Sequence, residues 1–208
     1  MRSTALLIGL ILAGETTAAL AQERQLGLKA GGSYARLQFD PDADSFRQGR
    51  FGVTGGGFAV RPFNARFGLQ VEALFSPKGA SEDIEGLEGT ITLQLDYLDI
   101  PLLLRVAGPA IGSNRFHLFG GPSIGVRLSA NRQTKVVGDF FNDGIVEDVG
   151  DMVDRFDLGM VAGAGVDVGR RLTIDGRYSW GITNVNGDEA NPVTIKTRMF
   201  AVMGGFRF

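Results

Sequence analysis

The stretch that decides the fold is Lys196–Phe208, which reads KTRMFAVMGGFRF. Counting back by twos from its end gives an apolar face that finishes on an aromatic residue, while the other face is mixed and charged. A period of two with unlike faces predicts a β-strand. A final strand of this kind is typical of outer-membrane β-barrels, in which it pairs with the first strand and closes the sheet. The residues of this barrel-closing signal are Phe200, Val202, Phe206 and Phe208.

The composition indicates one domain built from strands and turns. The chain has 208 residues, of which 31 are glycine, 44% are hydrophobic and 21% are charged. This length fits a single domain. No cysteine is present, which excludes disulfides and thiolate metal sites. A formal net charge of −2 gives no support to a nucleic-acid partner.

The beginning of the sequence predicts a signal peptide over residues 1–21, followed by a barrel domain over residues 22–208. Arg2 precedes the apolar run Ala5–Ala13, and Ala19 and Ala21 form a small-x-small cleavage pattern before Gln22. The alternative is a helix that anchors the chain in a membrane. Such a helix needs roughly 20 apolar residues, and this run is well short of that length.

The rest of the chain supplies further segments with a period of two, and the connections between them alternate between long and short. Long extracellular loops, short periplasmic turns and an even number of strands are features of outer-membrane barrels. The sequence therefore predicts an all-β fold, an eight-stranded antiparallel up-and-down transmembrane β-barrel. The predicted strands are Gln25–Gln38, Arg50–Val60, Arg66–Ser76, Thr90–Ala107, Arg115–Ala130, Arg155–Val168, Arg171–Thr183 and Lys196–Phe208.

One face of these strands is apolar, and the other combines glycine with charges of both signs. In a membrane barrel the charged face lines the lumen, where opposite charges must pair. A soluble lipocalin-like barrel would show the same alternation with the faces exchanged, and the loop asymmetry and export signal favour the membrane form. The charged residues predicted to line the lumen are Lys29, Glu72, Asp99, Arg105, Arg115, Arg127, Asp157, Asp167, Asp175 and Arg177. Glu72 and Arg105 lie on adjacent predicted strands and could form an ion pair.

Four residues do not fit the simple pattern. Pro101 and Pro122 lie inside predicted strands, and because proline cannot donate to a ladder, each predicts a bulge or an unpaired stretch. Lys196 and Arg198 have the parity of the lipid face. They are tolerable only where the closing strand projects above the hydrocarbon.

Several blocks of the sequence occur in an order that resembles a known family. They are LGLKAGGSYA, LQVEALFSPKG, YLDIPLLLR, HLFGGPSIGV, FDLGMVAGAGV, RYSWGITNV and MGGFRF. Together they resemble the porin-like outer-membrane β-barrel family, described as outer membrane protein beta-barrel domain or PorT-like. The resemblance covers nearly all of the predicted mature chain. It implies an eight-stranded barrel in the outer membrane of a Gram-negative bacterium, without a defined activity.

Candidate catalytic and metal-binding groups are few. His117 and Ser123 share a face, but six residues of extended strand separate them by about 20 Å, so His117 cannot activate Ser123. The sequence therefore predicts no enzyme and no cofactor. Asp139, Asn142, Asp143 and Glu147 suggest a calcium site, but Phe141 breaks the required spacing. A solvated acidic loop is the favoured interpretation, and no metal site is predicted.

The expected function is that of a structural or porin-like membrane protein. The expected partners are outer-membrane lipid, the assembly machinery during insertion, and an extracellular partner that the long loops could bind. Alternatives are a narrow ion or solute pore, an adhesion module that binds through Asn131–Asp154, and an enzyme acting on outer-leaflet lipid. Tyr178 and Trp180 are interpreted as part of an aromatic girdle at the membrane surface.

Overall fold

A computed structural model describes residues 24–40, 48–83, 89–136, 145–150, 153–185 and 194–208. Within these ranges the chain has no helix long and apolar enough to cross a membrane. The predicted signal peptide and its cleavage site at Ala19, Ala21 and Gln22 lie outside the described residues.

The described residues form nine β-strands. Tight turns join some consecutive strands, and longer connections, such as the one over residues 182–193, join the others. The strands are β1 (Gln25–Asp40), β2 (Gln48–Pro62), β3 (Phe67–Asp83), β4 (Gly89–Ile111), β5 (Asn114–Val136), β6 (Ile145–Asp148), β7 (Phe156–Val168), β8 (Leu172–Gly181) and β9 (Thr194–Arg207).

Eight of the strands close into an antiparallel ring. The sheet runs β4-β3-β2-β1-β9-β8-β7-β5, and a further ladder between β4 and β5 completes the circle. β6 lies outside the ring and pairs with the end of β5, where Asn131 is opposite Asp148. The first and last strands meet along a long seam that runs from Gly27 opposite Arg207 to Asp40 opposite Thr194. The fold is therefore the predicted eight-stranded barrel, with one short strand added.

The direction of the side chains shows which way the barrel faces. Glu72 is 2% exposed and Arg177 is 3% exposed, so the charged face points inward, whereas Leu118 is 63% exposed on the outward face. An apolar exterior around a charged interior is the arrangement of a transmembrane barrel. The soluble lipocalin-like alternative requires the opposite arrangement and is wrong for this chain.

The two ends of the barrel differ. At the short-turn end, tight connections join β2 to β3, β4 to β5 and β7 to β8. At the long-loop end, β5 continues from Val126, its last residue paired with β7, to Val136, and β4 pairs with it along this extension. Strands extend over residues 77–83 of the predicted loop Pro77–Gly89, and over residues 131–136 and 145–148 of the predicted loop Asn131–Asp154, which corrects the sequence-based boundaries.

In these longer strands the pairing between strands continues, while the side chains change from apolar to polar. Ser81 pairs with Thr92, and the Gln94 side chain donates to Gln133 Oε1 at 3.1 Å. Polar side chains of this kind suit a sheet surrounded by water. Their composition resembles that of a loop, so the period-two pattern was obscured where the sheet leaves the membrane.

The prolines lie at gaps in the ladders. The β3–β4 ladder pairs Val71 with Leu102 and Leu74 with Asp99, and Pro101 lies in the interval between these pairs. The β4–β5 ladder pairs Pro101 with Ser123 and Leu104 with Gly120, and Pro122 lies in that interval. The predicted unpaired stretches are therefore present. The bulges of the β4–β5 ladder occur elsewhere, at Asp96/Tyr97 and at Ala107/Ala110.

The seam between β1 and β9 depends on a close approach at Gly31. A Cβ at this position would collide with the carbonyl oxygen and backbone of Val202 and with the Cα of Met203, whereas a Cβ on the adjacent Gly32 would meet nothing within 4 Å. Backbone atoms cannot rotate out of the way as side chains can. Close packing of this seam thus requires glycine at position 31.

We expect Gly31→Ala to lower the free energy of unfolding by about 1–3 kcal/mol, the usual cost of overpacking. The matched variant Gly32→Ala should change it by less than about 0.5 kcal/mol, the usual limit for exposed positions. Urea unfolding in lipid vesicles, followed by the fluorescence of the single tryptophan, Trp180, measures both. Equal effects of the two substitutions would contradict the proposed close approach.

Candidate functional site: the barrel interior

The middle of the lumen holds four charged side chains that neutralise one another, here called the central cluster: Lys29, Glu72, Asp175 and Arg177. Lys29 Nζ lies 2.9 Å from Glu72 Oε1 and 2.7 Å from Asp175 Oδ2. The Arg177 guanidinium donates to Glu72 Oε1 at 3.1 Å and to Asp175 Oδ1 at 3.0 Å. Two cations and two carboxylates are therefore paired in one buried network that joins β1, β3 and β8.

A second group, the outer cluster, lies nearer the long-loop end and consists of Lys78, Asp99 and Asp157. Lys78 Nζ is 3.0 Å from each carboxylate. Thr197 donates a further hydrogen bond to Asp157 at 2.7 Å. The Lys78 ammonium also lies 4.6 Å from the centroid of the Tyr97 ring. One cation thus holds two carboxylates from β4 and β7 together across the lumen.

A third group, the inner cluster, lies at the short-turn end and contains Arg105, His117, Asp167 and Arg207. Asp167 accepts hydrogen bonds from both Arg105 and Arg207. His117 Nδ1 lies 3.0 Å from an Arg105 nitrogen and 3.6 Å from Asp167 Oδ1. Arg105 also donates to Gln70 Oε1 at 3.0 Å. This cluster has two guanidinium groups for one carboxylate.

Apolar side chains fill the space around the clusters. Leu103, Phe119 and Val161 form one buried group, and the Arg177 guanidinium lies 5.1 Å from the Phe119 ring centroid. A larger apolar layer at the long-loop end caps the lumen. Its buried members are Leu37, Ala80, Leu95, Tyr97, Ala130 and Val149. An eight-stranded barrel is just wide enough for side chains to fill it, and these side chains do so.

Between the outer and central clusters lies a cavity of about 10 Å³, which Ser76, Asp99 and Arg177 help to line. A volume of that size is at the lower limit for a single water molecule. The interior between the two clusters therefore consists of packed side chains.

The predicted lumen charges divide into two groups. Those in the three clusters are Lys29, Glu72, Asp99, Arg105, Asp157, Asp167, Asp175 and Arg177. Arg115 instead lies at the short-turn end, where it donates to the carbonyls of Gly108 at 2.9 Å and Ala65 at 2.8 Å. Arg127 donates to the carbonyls of Gly150 and Val153 at the long-loop end. Strand parity alone placed both in the lumen, but each is close enough to a strand end to bind backbone carbonyls.

The predicted pair between Glu72 and Arg105 is replaced by a bridge. Gln70 donates to Glu72 and accepts from Arg105, so the amide connects the central and inner clusters. Glu72 instead pairs with Lys29 on β1 and Arg177 on β8, and Arg105 pairs with Asp167 on β7. The tilt of the strands brings these distant positions to the same height.

The sequence-based set lacked Lys78 and Arg207. Lys78 fell in a segment interpreted as a loop, which the structure assigns to β3. Arg207 has the opposite parity to Phe206 and Phe208, and this signal was sufficient to place it inside the barrel. Its omission came from treating the closing strand mainly as an apolar signal.

The structure gives no support to catalysis by His117 with Ser123. The His117 ring is held by Arg105 and Asp167, and Ser123 lies six residues farther along the same strand, β5. Within the described ranges, no group of three or more His, Asp or Glu residues could hold a metal ion. Asp139, Asn142 and Asp143 of the calcium hypothesis lie outside the described residues, and Glu147 belongs to β6.

Aromatic side chains mark the membrane surface near the long-loop end. Tyr34 and Tyr178 both pair with Phe200, and the next residues along the same faces are Arg36, Arg198 and Trp180. Arg198 donates to the Gly181 carbonyl at 2.9 Å. Arg198 and Lys196 therefore lie beyond the aromatic row, as their lipid-facing parity requires. The side chains of Phe200, Val202, Phe206 and Phe208 are all exposed on the outward face.

Solved structures of several outer-membrane proteins resemble this chain. The attachment invasion locus protein Ail of Yersinia pestis, in complex with the heparin analogue sucrose octasulfate, has 15% identity and a TM-score of 0.46, covering 89% of this chain and 99% of Ail. Neisserial surface protein A has 11% identity and a TM-score of 0.48, with coverages of 90% and 100%. OprG from Pseudomonas aeruginosa has 12% identity and a TM-score of 0.49, with coverages of 88% and 95%.

A search of curated proteins finds no significant match. The family model described as "Outer membrane protein beta-barrel domain" matches residues 20–187. This match spans most of the chain and agrees with the apolar exterior, the charged interior and the closed ring of eight strands. The chain therefore belongs to the outer membrane protein beta-barrel domain family and is an integral protein of the outer membrane.

Proposed function

We propose that the protein is a sealed structural barrel, neither an enzyme nor an open diffusion pore, whose long-loop end makes contact with an extracellular partner. The observation that carries this proposal is the filling of the lumen. Three clusters of paired charges and two apolar groups follow one another along the barrel axis. Each cluster connects strands on different sides of the ring.

Passage of an ion would require these clusters to open. The carboxylates and cations of the central cluster are almost fully buried, and each has its charge satisfied by a neighbour. Breaking a buried pair leaves an uncompensated charge, which costs about 3–5 kcal/mol. A spontaneously conducting state is therefore expected to be rare, even though the lining is polar as in a porin.

The surface beyond the membrane supports contact with a partner. β3, β4, β5 and β6 form a sheet that extends past the ring, and β6 presents Ile145 and Val146 with 71% and 60% of their surfaces exposed. Apolar side chains on a sheet surrounded by water favour contact with another molecule. Arg132 and Glu147 lie beside them, 3.9 Å apart.

Single-channel recording in planar bilayers tests the seal. We expect the refolded protein to give no unitary steps, because the packed clusters leave no continuous aqueous path. A variant lacking Asn131–Asp154 should also be silent, since the central and inner clusters remain. Insertion of both proteins must be verified independently by resistance of the membrane-embedded strands to protease. Reproducible steps from the intact protein would overturn the proposed seal.

A further inference from the structure

A cavity of about 660 Å³ opens at the short-turn end, below the inner cluster. Its floor is made by Arg105, Asp167 and Arg207, and its rim by the connections between β2 and β3, β4 and β5, and β7 and β8. Pockets that bind small ligands commonly have volumes of about 300–1,000 Å³. Since the clusters above it fill the lumen, this cavity is a closed-ended recess at the periplasmic side.

The charge of the recess is strongly positive. Among the residues that line it, all in the described part of the chain, Asp167 is the one carboxylate side chain. The lining arginines are Arg66, Arg105, Arg115, Arg170, Arg171 and Arg207. Arg115 donates its hydrogen bonds to two backbone carbonyls, which carry no formal charge. The central cluster, by contrast, has equal numbers of cations and carboxylates.

One donor on the floor of the recess is buried without a partner. The Arg207 residue is 6% exposed, and its terminal nitrogens donate to Gln25 Oε1 and to Asp167. Its Nε, however, has no hydrogen-bond partner among the residues that the structure describes. A buried donor of this kind destabilises the protein unless something accepts its hydrogen bond. Arg207 also lines the recess, where its guanidinium group adds to the positive charge of the floor.

We infer that this recess binds a phosphate group, presented either by a phospholipid headgroup or by a small phosphate-containing solute. Guanidinium groups match the oxygens of phosphate in geometry and charge, and form stronger hydrogen bonds to it than to neutral acceptors. The floor supplies two guanidinium groups, those of Arg105 and Arg207, for one carboxylate, and the rim supplies further guanidinium groups. The arrangement thus provides a cationic site of suitable size, separate from the sealed part of the lumen.

Isothermal titration calorimetry of the refolded protein in uncharged detergent, at low ionic strength, tests the inference. The two probes are inorganic phosphate and dihexanoyl phosphatidylglycerol below its micelle concentration. Saturable binding of inorganic phosphate indicates a solute site, and binding of the short-chain phospholipid alone indicates a headgroup site. Either result supports the inference, and failure of both probes to bind overturns it.

The variants separate the recess from a general surface charge. Arg66→Gln together with Arg170→Gln changes exposed turn residues on the rim and should weaken binding at least about tenfold, because each substitution removes a charged donor. Arg61→Gln makes the same chemical change at the same end of the barrel, on a residue outside the lining. It should change affinity less than about twofold, because the exposed Arg61 side chain alternates with the buried Val60 and so lies on the outward face of β2. Equal losses in the two proteins would overturn the site.

Discussion

Substitution of Glu72 by glutamine is expected to lower the free energy of unfolding by about 3–5 kcal/mol, the usual cost of removing one partner from a buried ionic network. Glutamine preserves the shape of the side chain but removes its charge. Lys29 and Arg177 would then share one carboxylate, Asp175, in a site with almost no access to water. The remaining excess positive charge in the central cluster is the physical source of the loss.

Glu147→Gln is the matched control, because it makes the same chemical change at an exposed side chain of β6. The Glu147 side chain is 64% exposed and lies 3.9 Å from Arg132, so its loss should cost less than about 1 kcal/mol. Denaturant unfolding of both variants in lipid vesicles, monitored by Trp180 fluorescence, gives the comparison. A loss below about 1 kcal/mol for Glu72→Gln would show that water reaches the central cluster and that the interior is less tightly sealed than proposed.

Leu102→Arg should destabilise the inserted barrel by about 2–4 kcal/mol, which is the cost of a cationic side chain on the lipid face near the bilayer midplane. Leu102 points outward from β4, between Ile100 and Leu104, all three with exposed apolar side chains. Arginine at this depth must either lose its hydration or distort the bilayer. The same unfolding measurement in vesicles reports this loss.

Ile111→Arg provides the comparison within the same strand. Ile111 is exposed at the short-turn end of β4, where the strand leaves the hydrocarbon, and arginine there should cost only about 0–1 kcal/mol. Similar losses at positions 102 and 111 would mean that the apolar band does not coincide with the bilayer core. The predicted difference depends on depth alone, because the strand and the introduced residue are the same.

The architecture could be predicted from the sequence because it is encoded by local patterns. Alternation in Phe67–Phe75 and in Phe200–Phe208 requires only neighbouring residues, and so does the rhythm of long and short connections. Inward parity correctly separated residues such as Glu72 and Arg177 from the lipid face. The same local patterns failed where the environment changed from lipid to water, so that Ser81 and Gln133 were interpreted as loop although both belong to strands.

The partners inside the barrel could not be predicted, because they depend on the stagger between strands. Lys29 bonds to Asp175 across the closing seam, and Lys78 bonds to Asp157 from the opposite side of the ring. A shift of two residues in any ladder would leave every side chain on the same face of the sheet but would change these charge partners. The recess at the short-turn end has the same origin, since turns distant in sequence bring Arg66 and Arg170 to one rim.

The seam between β1 and β9 also sets the order in which the barrel can form. Its paired residues lie at opposite ends of the chain, so the ring cannot close until the last strand has been synthesised. Contacts of such long range slow folding, because the chain loses entropy before the contact stabilises it. Lys29 on β1 meets Asp175 on β8 only when that seam is shut. Closure is therefore the step at which the interior charged groups lose their hydration and form ion pairs with one another.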